Sequence, residues 1–318
     1  MRYAFIINPY AGQGGHDKGI ARSIEELIND RIDQDIGMYY TRCSGDATSL
    51  SDVLAEEAMK AGEDIVVFSC GGDGTANEIA NGIYGYDNAI LGMVPVGSGN
   101  DIVRELVRGN RHYKDYLNLD LLMKGTPRDI DVMKINWTED GEEKTRIAVN
   151  SINIGFDGNT AVRASELKEK PFLSGSGAYF MAVLSTLVQK EGQSLRITAD
   201  GKPFYEGDLL LATAGNGGYC GGGIRSCPFA IMDDGKIELM AIRDMSRLSF
   251  VSKFPKFRVG RMFDINGVEE FATYRRVKEA TFEPLKAETM KYVADGEVMK
   301  TGAIKVEIEP KALTIWEI

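Results

Sequence analysis

The size and composition of the chain are those of an ordinary globular protein. It has 318 residues, of which 43% are hydrophobic and 26% charged, enough for two domains with separate cores. A net charge of −10 argues against nucleic acid as the main partner. Four cysteines without a Cys-x-x-Cys spacing favour free thiols, and two histidines are too few for a histidine-based metal site. No apolar stretch is long enough for a signal-peptide core or a transmembrane segment, so we expect a cytoplasmic protein.

The first 125 residues alternate between short apolar runs and amphipathic stretches. Because the apolar runs are continuous, they indicate a parallel sheet covered on both faces by helices. Such a sheet binds ligands beyond the carboxyl ends of its strands. The predicted strands lie at 3–7, 38–41, 65–69 and 89–96, and the predicted helices at 17–29, 46–61, 75–83 and 101–108.

After about residue 126 strand-like segments dominate, separated by Asp-Gly turns. This pattern predicts an antiparallel β-sandwich with two or three inserted helices. We therefore divide the chain into an α/β domain at 1–125 and a sandwich domain at 126–303. The predicted strands of the second domain and of the chain end are 128–135, 146–154, 194–200, 204–214, 236–242, 279–284, 304–308 and 312–316.

Three loops rich in small residues, 8–15, 70–75 and 96–101, follow predicted strands of the first domain. Glycine lets the backbone approach an anion closely, and the start of a helix offers unpaired N–H groups to phosphate. The loops therefore predict a phosphate-binding floor. Asp73 would repel a phosphate unless a cation lay between them, which indicates Mg²⁺ or a proton-accepting role. The alternative is a tight turn with Asp73 near the helix N-cap.

Five motifs occur in order along essentially the whole chain. They are Asn8-Pro9-x-x-Gly12, Gly71-Gly72-Asp73-Gly74-Thr75, Gly97-Ser98-Gly99-Asn100-Asp101, the glycine-rich run 216–235 and Asp295-Gly296-Glu297. Together they resemble the diacylglycerol kinase catalytic-domain family, which includes sphingosine and ceramide kinases. The resemblance implies a phosphofructokinase-like, ATP-binding α/β domain and a C-terminal antiparallel β-sandwich that binds the lipid. It also implies that residues 304–318 can return to the first domain.

The resemblance implies ATP and Mg²⁺ as cofactors and assigns roles to matching positions. Glu297 is the implied general base and Asp73 the second catalytic candidate, since a lipid alcohol with a high pKa needs a carboxylate to take its proton. Asp234 is the implied Mg²⁺ ligand, with the backbone carbonyls of Ile231 and Lys236. The water-linked network around that ion is implied to include Asp73, Asp101 and Asp131. The implied ATP-binding residues are Asn8, Thr41, Gly72, Asp73, Gly74, Thr75, Ala76, Asn77, Glu78 and Ser98.

The implied reaction is ATP-dependent phosphorylation of a lipid hydroxyl at a membrane surface, with diacylglycerol converted to phosphatidate. At two positions where relatives can carry Lys, this chain has Gln13 and Ala182. This difference weakens the inference from the family that diacylglycerol in particular is the substrate. Lys18 or Arg104 is the alternative source of positive charge. An NAD kinase-like or other soluble-metabolite kinase is the first alternative, and a non-catalytic lipid-binding regulator is the second. The oligomeric state is left open, with a homodimer as one option.

The segment 243–278 contains nine Lys or Arg and four Asp or Glu, against the acidic balance of the whole chain. We predict that it docks the protein on anionic membrane, with Phe250, Phe254 and Phe257 as aromatic anchors. The alternative is a helix packed on the sandwich, with the phenylalanines in the core and the cations merely solvated.

Overall fold

The computed structural model describes residues 1–11, 16–155 and 193–318. Its contacts divide the chain into two compact units, Met1–Val132 with Glu309–Ile318, and Met133–Ile308. These divisions fall several residues after the domain boundaries expected at 125/126 and 303/304. The functional domains themselves stay a prediction.

The first unit contains a parallel sheet in the order β2-β1-β3-β4. Its strands are β1 (Arg2–Ile7), β2 (Ile36–Tyr40), β3 (Ile65–Gly71) and β4 (Ala89–Pro95), and its helices are α1 (His16–Asp30), α2 (Asp46–Ala61), α3 (Asp73–Ile83), α4 (Asp101–Leu106) and α5 (Leu119–Leu122), with a 3₁₀ turn at Tyr113–Leu117. β3 and β4 are buried along their whole length, which explains why their sequences are continuously apolar. The α/β prediction is confirmed, including all four strands and the first four helices.

The register of this sheet brings the ends of three strands to one edge. Ile7 at the end of β1 pairs with Cys70 near the end of β3, and Cys70 pairs with Val94 near the end of β4. The rings of Phe5 and Phe68 stack across β1 and β3 with centroids 4.6 Å apart. The loops after β1, β3 and β4 therefore leave the sheet from neighbouring positions.

The second unit is an antiparallel β-sandwich, as predicted. Its elements are β5 (Thr126–Glu139), β6 (Glu142–Ala148), β7 (Ser151–Gly155), β8 (Gln193–Ala199), β9 (Lys202–Gly215), β10 (Ile237–Arg243), α6 (Arg247–Arg258), β11 (Ala272–Val277), β12 (Glu279–Pro284), β13 (Met290–Ala294), β14 (Glu297–Thr301) and β15 (Ile304–Glu317), with 3₁₀ turns at Met262–Asp264 and Val268–Glu270. Neighbouring strands run β14-β13-β7-β9-β8-β12-β15, while β10 joins β9 to β11 and β5 pairs with β6. The first residues of β5 and the last of β15 belong to the first unit. There, Thr314 and Ile315 of β15 pair in parallel with Ile90 and Leu91 of β4.

Several strand predictions in this unit were wrong in detail. The predicted strand 146–154 is two strands, β6 and β7, and the predicted strands 304–308 and 312–316 form the single strand β15. β11, β13 and β14 were not predicted, because charged residues interrupt their apolar pattern. Ala182, one of the two positions where relatives can carry Lys, lies outside the described residues.

Of the four Asp-Gly pairs that the structure describes in this half of the chain, three are hairpin turns. Asp140, Asp200 and Asp295 and the glycines after them all have positive φ angles, the conformation of a type I′ turn. At Asp234-Gly235 only the glycine does. This fourth pair is therefore a different structure.

The predicted aromatic membrane anchors are wrong. Phe250, Phe254 and Phe257 of α6 are only 3%, 4% and 5% exposed, and they pack with Leu211 and Met240 of the sandwich. For these three rings the alternative prediction, a helix packed on the sandwich with its phenylalanines in the core, is confirmed. Within the described ranges, no helix combines the length and the apolar character needed to cross a bilayer.

Candidate functional site

The loops after β1, β3 and β4 contact one another. The Asn8 side-chain amide donates to the Thr75 hydroxyl at 3.0 Å. A Cβ atom built on Gly97 would lie 2.3 Å from the Cα of Gly72, so the two loops approach backbone to backbone. The expected meeting of the loops is therefore observed for the parts described, while residues 12–15 lie outside the description. Phosphate binding by these loops stays a prediction.

The start of α3 has the geometry expected of an anion site. Its N-cap residue is Gly72, and no side chain caps the helix start. The first N–H groups of a helix lack partners within the helix and carry the positive end of its dipole. Gly71 lies close to Thr75, because a Cβ on this glycine would be 2.4 Å from the Thr75 hydroxyl oxygen. Any larger residue at position 71 would collide with that side chain.

Asp73 connects the central loop to the start of α4. Its Oδ1 accepts from the Ile102 backbone N–H at 3.1 Å. Burial raises the pKa of the Asp73 carboxyl, and backbone N–H groups of Ile102, Asp101 and Asn100 act in the opposite direction. The alternative interpretation placed Asp73 near the helix N-cap, and this is confirmed, since Gly72 is the N-cap and Asp73 the first helical residue; no side chain caps this helix. The carboxylate holds another helix start instead.

The neighbouring carboxylate Asp101 is buried, with 4% of its surface exposed. Arg104 Nε lies 3.4 Å from Asp101 Oδ1, and the Arg104 guanidinium lies 5.4 Å from the centre of the Tyr113 ring. Arg104, one of the two proposed substitutes for the missing lysines, is therefore already engaged by Asp101 and Tyr113. The side chain of the other, Lys18, lies outside the described part.

Two predicted site residues of this unit have structural partners. Glu78 accepts from the N–H groups of Gly45 at 2.9 Å and Ala47 at 3.2 Å, and so holds the start of α2. Asp131 Oδ1 accepts from the Lys311 N–H at 2.9 Å. Of the other predicted ATP contacts, Thr41, Ala76 and Asn77 are buried, Gly74 is half-buried and Ser98 is exposed.

In the second unit, the Asp295-Gly296-Glu297 motif forms the β13–β14 hairpin turn. The Asp295 carboxylate, 3% exposed, accepts from the backbone N–H groups of Val149, Asn150 and Ser151 at 2.5, 3.0 and 2.8 Å. Three bonds to one carboxylate hold the turn against the start of β7. Asp295 therefore positions the residue two places later, Glu297.

Glu297, the predicted general base, forms an ion pair with Arg146 of β6. The Arg146 Nη2 atom lies 2.7 Å from Glu297 Oε2, and the two side chains are 17% and 24% exposed. This pairing orients the carboxylate. The sequence motifs contain no signal for Arg146, since 151 positions separate the two residues.

Asp234, the predicted Mg²⁺ ligand, has one oxygen paired with Arg276 of β11. Its other oxygen, Oδ1, is buried and accepts no hydrogen bond from the described residues. A buried carboxylate oxygen without a donor suits a hard cation such as Mg²⁺. Nowhere in the described ranges, the surroundings of Asp234 included, do three His, Cys, Asp or Glu side chains converge as a metal site. The buried Oδ1 atom of Asp234 thus fits an ion held by one carboxylate, and the carbonyls of Ile231 and Lys236 as further ligands stay a prediction.

A further acidic residue near this site was missed by the motif analysis. Glu238 is 1% exposed; it accepts from the Tyr274 hydroxyl at 2.8 Å and from the Phe229 N–H at 3.3 Å. Burial raises the pKa of Glu238, and burial followed by the contact with Glu238 raises the pKa of Tyr274. Glu238 lies opposite Arg276 in the β10–β11 register, a pairing that only the assembled sheet creates.

An α/β unit with adjoining glycine loops, together with a β-sandwich carrying held carboxylates, is the arrangement of a two-domain kinase. Residues 2–135 match the family model described as the diacylglycerol kinase catalytic domain. Residues 150–317 match the model of the YegS C-terminal NAD kinase beta sandwich-like domain. The chain belongs to the diacylglycerol kinase catalytic-domain family, and it is a lipid kinase.

Relatives and solved structures agree with this assignment. A diacylglycerol kinase of Staphylococcus aureus is 30% identical over 76% of this chain and 70% of its own length. One of Mycobacterium tuberculosis is 28% identical over 83% of this chain and 80% of its own. The crystal structure of a diacylglycerol kinase from Bacillus anthracis matches with a TM-score of 0.66 and 21% identity, covering 100% of this chain and 97% of that one. A second structure from the same organism gives a TM-score of 0.70 at 24% identity, covering 100% and 96%, and these structures support the fold.

Proposed function

We propose that this protein transfers the γ-phosphoryl group of ATP to the hydroxyl of diacylglycerol and so forms phosphatidate. The observation that carries the proposal is the contact between the Gly72 and Gly97 loops beside the uncapped start of α3. Phosphoryl transfer is achieved mostly by positioning and charge stabilisation, which requires a surface where phosphates approach the backbone. The curated relatives named above carry the name diacylglycerol kinase, which favours that lipid as the acceptor.

The chain's own residues would share the work as follows. The helix start at Gly72 and the side chains of Asn8 and Thr75 bind the phosphates. Glu297, oriented by Arg146 at 2.7 Å, takes the proton from the lipid hydroxyl as that oxygen attacks the phosphorus. The leaving group is ADP.

Asp234 would hold Mg²⁺ through its buried Oδ1 atom, with the carbonyls of Ile231 and Lys236. Mg²⁺ bound there would supply positive charge, which would either order the carboxylates around it or offset the charge of the phosphates. Asp73, Asp101 and Asp131 remain the proposed members of the water-linked network around it. Asp73 is also the second catalytic candidate, since the raised pKa of its carboxyl suits proton exchange.

The test is a transfer assay with purified protein, γ-labelled ATP and Mg²⁺. Separate reactions contain diacylglycerol, a sphingoid base, phosphatidylglycerol, a polyprenol or NAD⁺. We expect label in phosphatidate, and at least about 100-fold less of it with Glu297→Gln, the usual contribution of a general base.

The NAD⁺ reaction is included because the model matched by residues 150–317 is described as NAD kinase beta sandwich-like. Label in NADP⁺ and none in any lipid would overturn the proposal in favour of a soluble-metabolite kinase. Label in a lipid other than diacylglycerol would reject the acceptor and keep the phosphoryl transfer. No labelled product from any acceptor, with normal ATP binding, would favour the non-catalytic alternative.

A further inference from the structure

Three large apolar side chains remain exposed in the loop before β10 and at the C-terminal end of α6. Phe229, Ile231 and Val259 are 52%, 50% and 57% exposed. The Phe229 ring contacts Phe263 and Tyr274, with centroids 5.4 and 5.9 Å away, yet half of its surface faces solvent. Apolar groups exposed together on a folded protein are typical of a contact surface.

The segment 225–229 lies against the C-terminal end of α6. The Arg225 N–H donates to the Arg258 carbonyl at 3.0 Å. A Cβ atom on Gly260 would lie 2.9 Å from Arg225 Cδ and 3.1 Å from Pro228 Cβ. Phe229 and Val259 therefore belong to one surface, which we name the α6 patch and define by Arg225, Phe229, Lys256, Arg258, Val259 and Arg261.

The charge of this surface opposes that of the whole chain. The segments 225–232 and 253–263 contain five Lys or Arg and no Asp or Glu, in a chain of net charge −10. All four cations of the α6 patch are exposed. Asp264, the next acidic residue along the chain, is paired with Arg261 at 2.7 Å. The patch thus combines a local excess of positive charge with half-exposed apolar side chains.

We propose that the α6 patch docks this protein on an anionic lipid bilayer. Apolar side chains ringed by cations bind such a surface by shallow insertion and by attraction to acidic headgroups. The proposal rests on the proposed function, since a membrane lipid as acceptor is what requires contact with a bilayer. It replaces the anchors Phe250, Phe254 and Phe257 with side chains on the outer surface.

The position of the patch connects docking to the proposed metal site. Phe229 lies five residues before Asp234, and its N–H is held by Glu238 at 3.3 Å. Glu238 in turn accepts from Tyr274, whose ring contacts Phe229. Docking at Phe229 therefore brings the Asp234 loop close to the lipid headgroups.

The experiment is co-sedimentation of the purified protein with vesicles of phosphatidylcholine, with and without phosphatidylglycerol, in the absence of ATP. The main variant is Arg258→Glu with Val259→Asp. Arg225 is left unchanged because it donates to the Pro228 carbonyl at 3.2 Å. We expect wild type to bind the anionic vesicles and the variant to bind them at least about tenfold more weakly, given the contribution of each cation near an anionic surface. Phosphorylation of a short-chain, dispersed diacylglycerol should be unchanged.

Two matched controls separate docking from general surface chemistry. Leu248→Asp removes a side chain that is 85% exposed on the same helix, about 16 Å from Val259 at 1.5 Å per residue. Lys202→Glu reverses an exposed cation of the β8–β9 hairpin, which is not part of the α6 patch. Both controls should sediment like wild type.

Three results would overturn the proposal. They are no sedimentation of wild type with anionic vesicles, equal binding by wild type and the main variant, and equal loss of binding in the controls. Thermal unfolding of each variant checks that it is folded; if the main variant is not, Lys256→Gln with Arg258→Gln replaces it under the same criteria. Because vesicle binding is measured without turnover, failure of the transfer assay and failure of docking are separate outcomes.

Discussion

The two units present their predicted functional groups by different means. In the first, the backbone forms the surface, with Gly72 and Gly97 in close contact and a helix start without a side-chain cap. In the second, three carboxylates are held by partners distant in sequence: Asp295 by backbone N–H groups, Glu297 by Arg146 and Asp234 by Arg276. The first unit therefore has little room for a larger side chain at its glycines, whereas the second depends on the charge of its carboxylates. Substitutions should therefore act through bulk in one unit and through lost charge in the other.

The largest effect is expected where bulk meets the backbone, at Gly97→Ala. The new Cβ would lie 2.3 Å from Gly72 Cα and 2.9 Å from Asn100 Oδ1, so the two loops must separate. We expect ATP binding to disappear in calorimetry and the free energy of unfolding to fall by about 1–3 kcal/mol. Gly19→Ala is the control, because nothing lies within 4 Å of a Cβ there. Normal ATP binding by Gly97→Ala would show that the loops are only turns.

The second effect is a loss of turnover without a loss of fold, in Glu297→Gln. The substitution keeps a hydrogen-bond acceptor for Arg146 and removes the proton-accepting carboxylate. We expect kcat to fall at least about 100-fold, with ATP affinity and Tm unchanged. Glu206→Gln is the matched control, because Glu206 is also paired with an arginine, Arg196, at 2.9 Å. Near-normal turnover in Glu297→Gln would transfer the role of base to Asp73.

The third effect is on stability, in Asp295→Ala. The change leaves the N–H groups of Val149, Asn150 and Ser151 without the acceptor they use now. We expect a loss of about 3 kcal/mol in the free energy of unfolding, since each abandoned buried donor costs about 1–3 kcal/mol. Asp140→Ala is the control, since Asp140 also occupies the first position of an Asp-Gly turn with positive φ but is exposed. Equal losses in urea unfolding would mean that turn conformation, and not the carboxylate, is what matters.

The smallest effect is a pH dependence at Asp73. Because burial raises the pKa of this carboxyl in the folded protein, its contribution to stability is present below the ordinary carboxyl pKa and is lost as the pH rises through the raised value. Asp73→Asn removes that loss, so we expect the variant to be more stable than wild type at pH 8 and to differ less from it at pH 4. Urea midpoints at both pH values measure this difference, with the exposed Glu25→Gln as control. A constant difference at the two pH values would contradict the assignment.

Local signals were enough for the first unit and for the hairpin turns. The helix α2 occupies the predicted residues, Asp46–Ala61, because its apolar residues repeat with helical spacing. The continuous apolar sequence of β3 and β4 predicted burial on both faces, and both strands are fully buried. The glycines at positions 72 and 97 indicated a close approach of the backbone to a ligand. They also make a close approach to each other, which no single loop reveals.

Predictions that depended on which face of an element is covered were less successful. Phe250, Phe254 and Phe257 were interpreted as anchors because aromatic and basic residues alternate in that segment. The sandwich buries the rings and leaves the cations outside. A sequence segment specifies that a helix has two kinds of side chain, but the neighbouring sheet decides which kind meets water.

Residue types and short spacings were sufficient to establish the family, the α/β and β-sandwich folds and the identity of the glycine and carboxylate motifs. The partners of the carboxylates became visible only in the folded chain. Arg146 reaches Glu297 across 151 positions, and Arg276 reaches Asp234 across 42. Such pairs form through the tertiary packing of strands and loops that are far apart in sequence, which leaves no local pattern in the chain. The motifs therefore predict which groups react, while the folded chain supplies the charged partners that orient them.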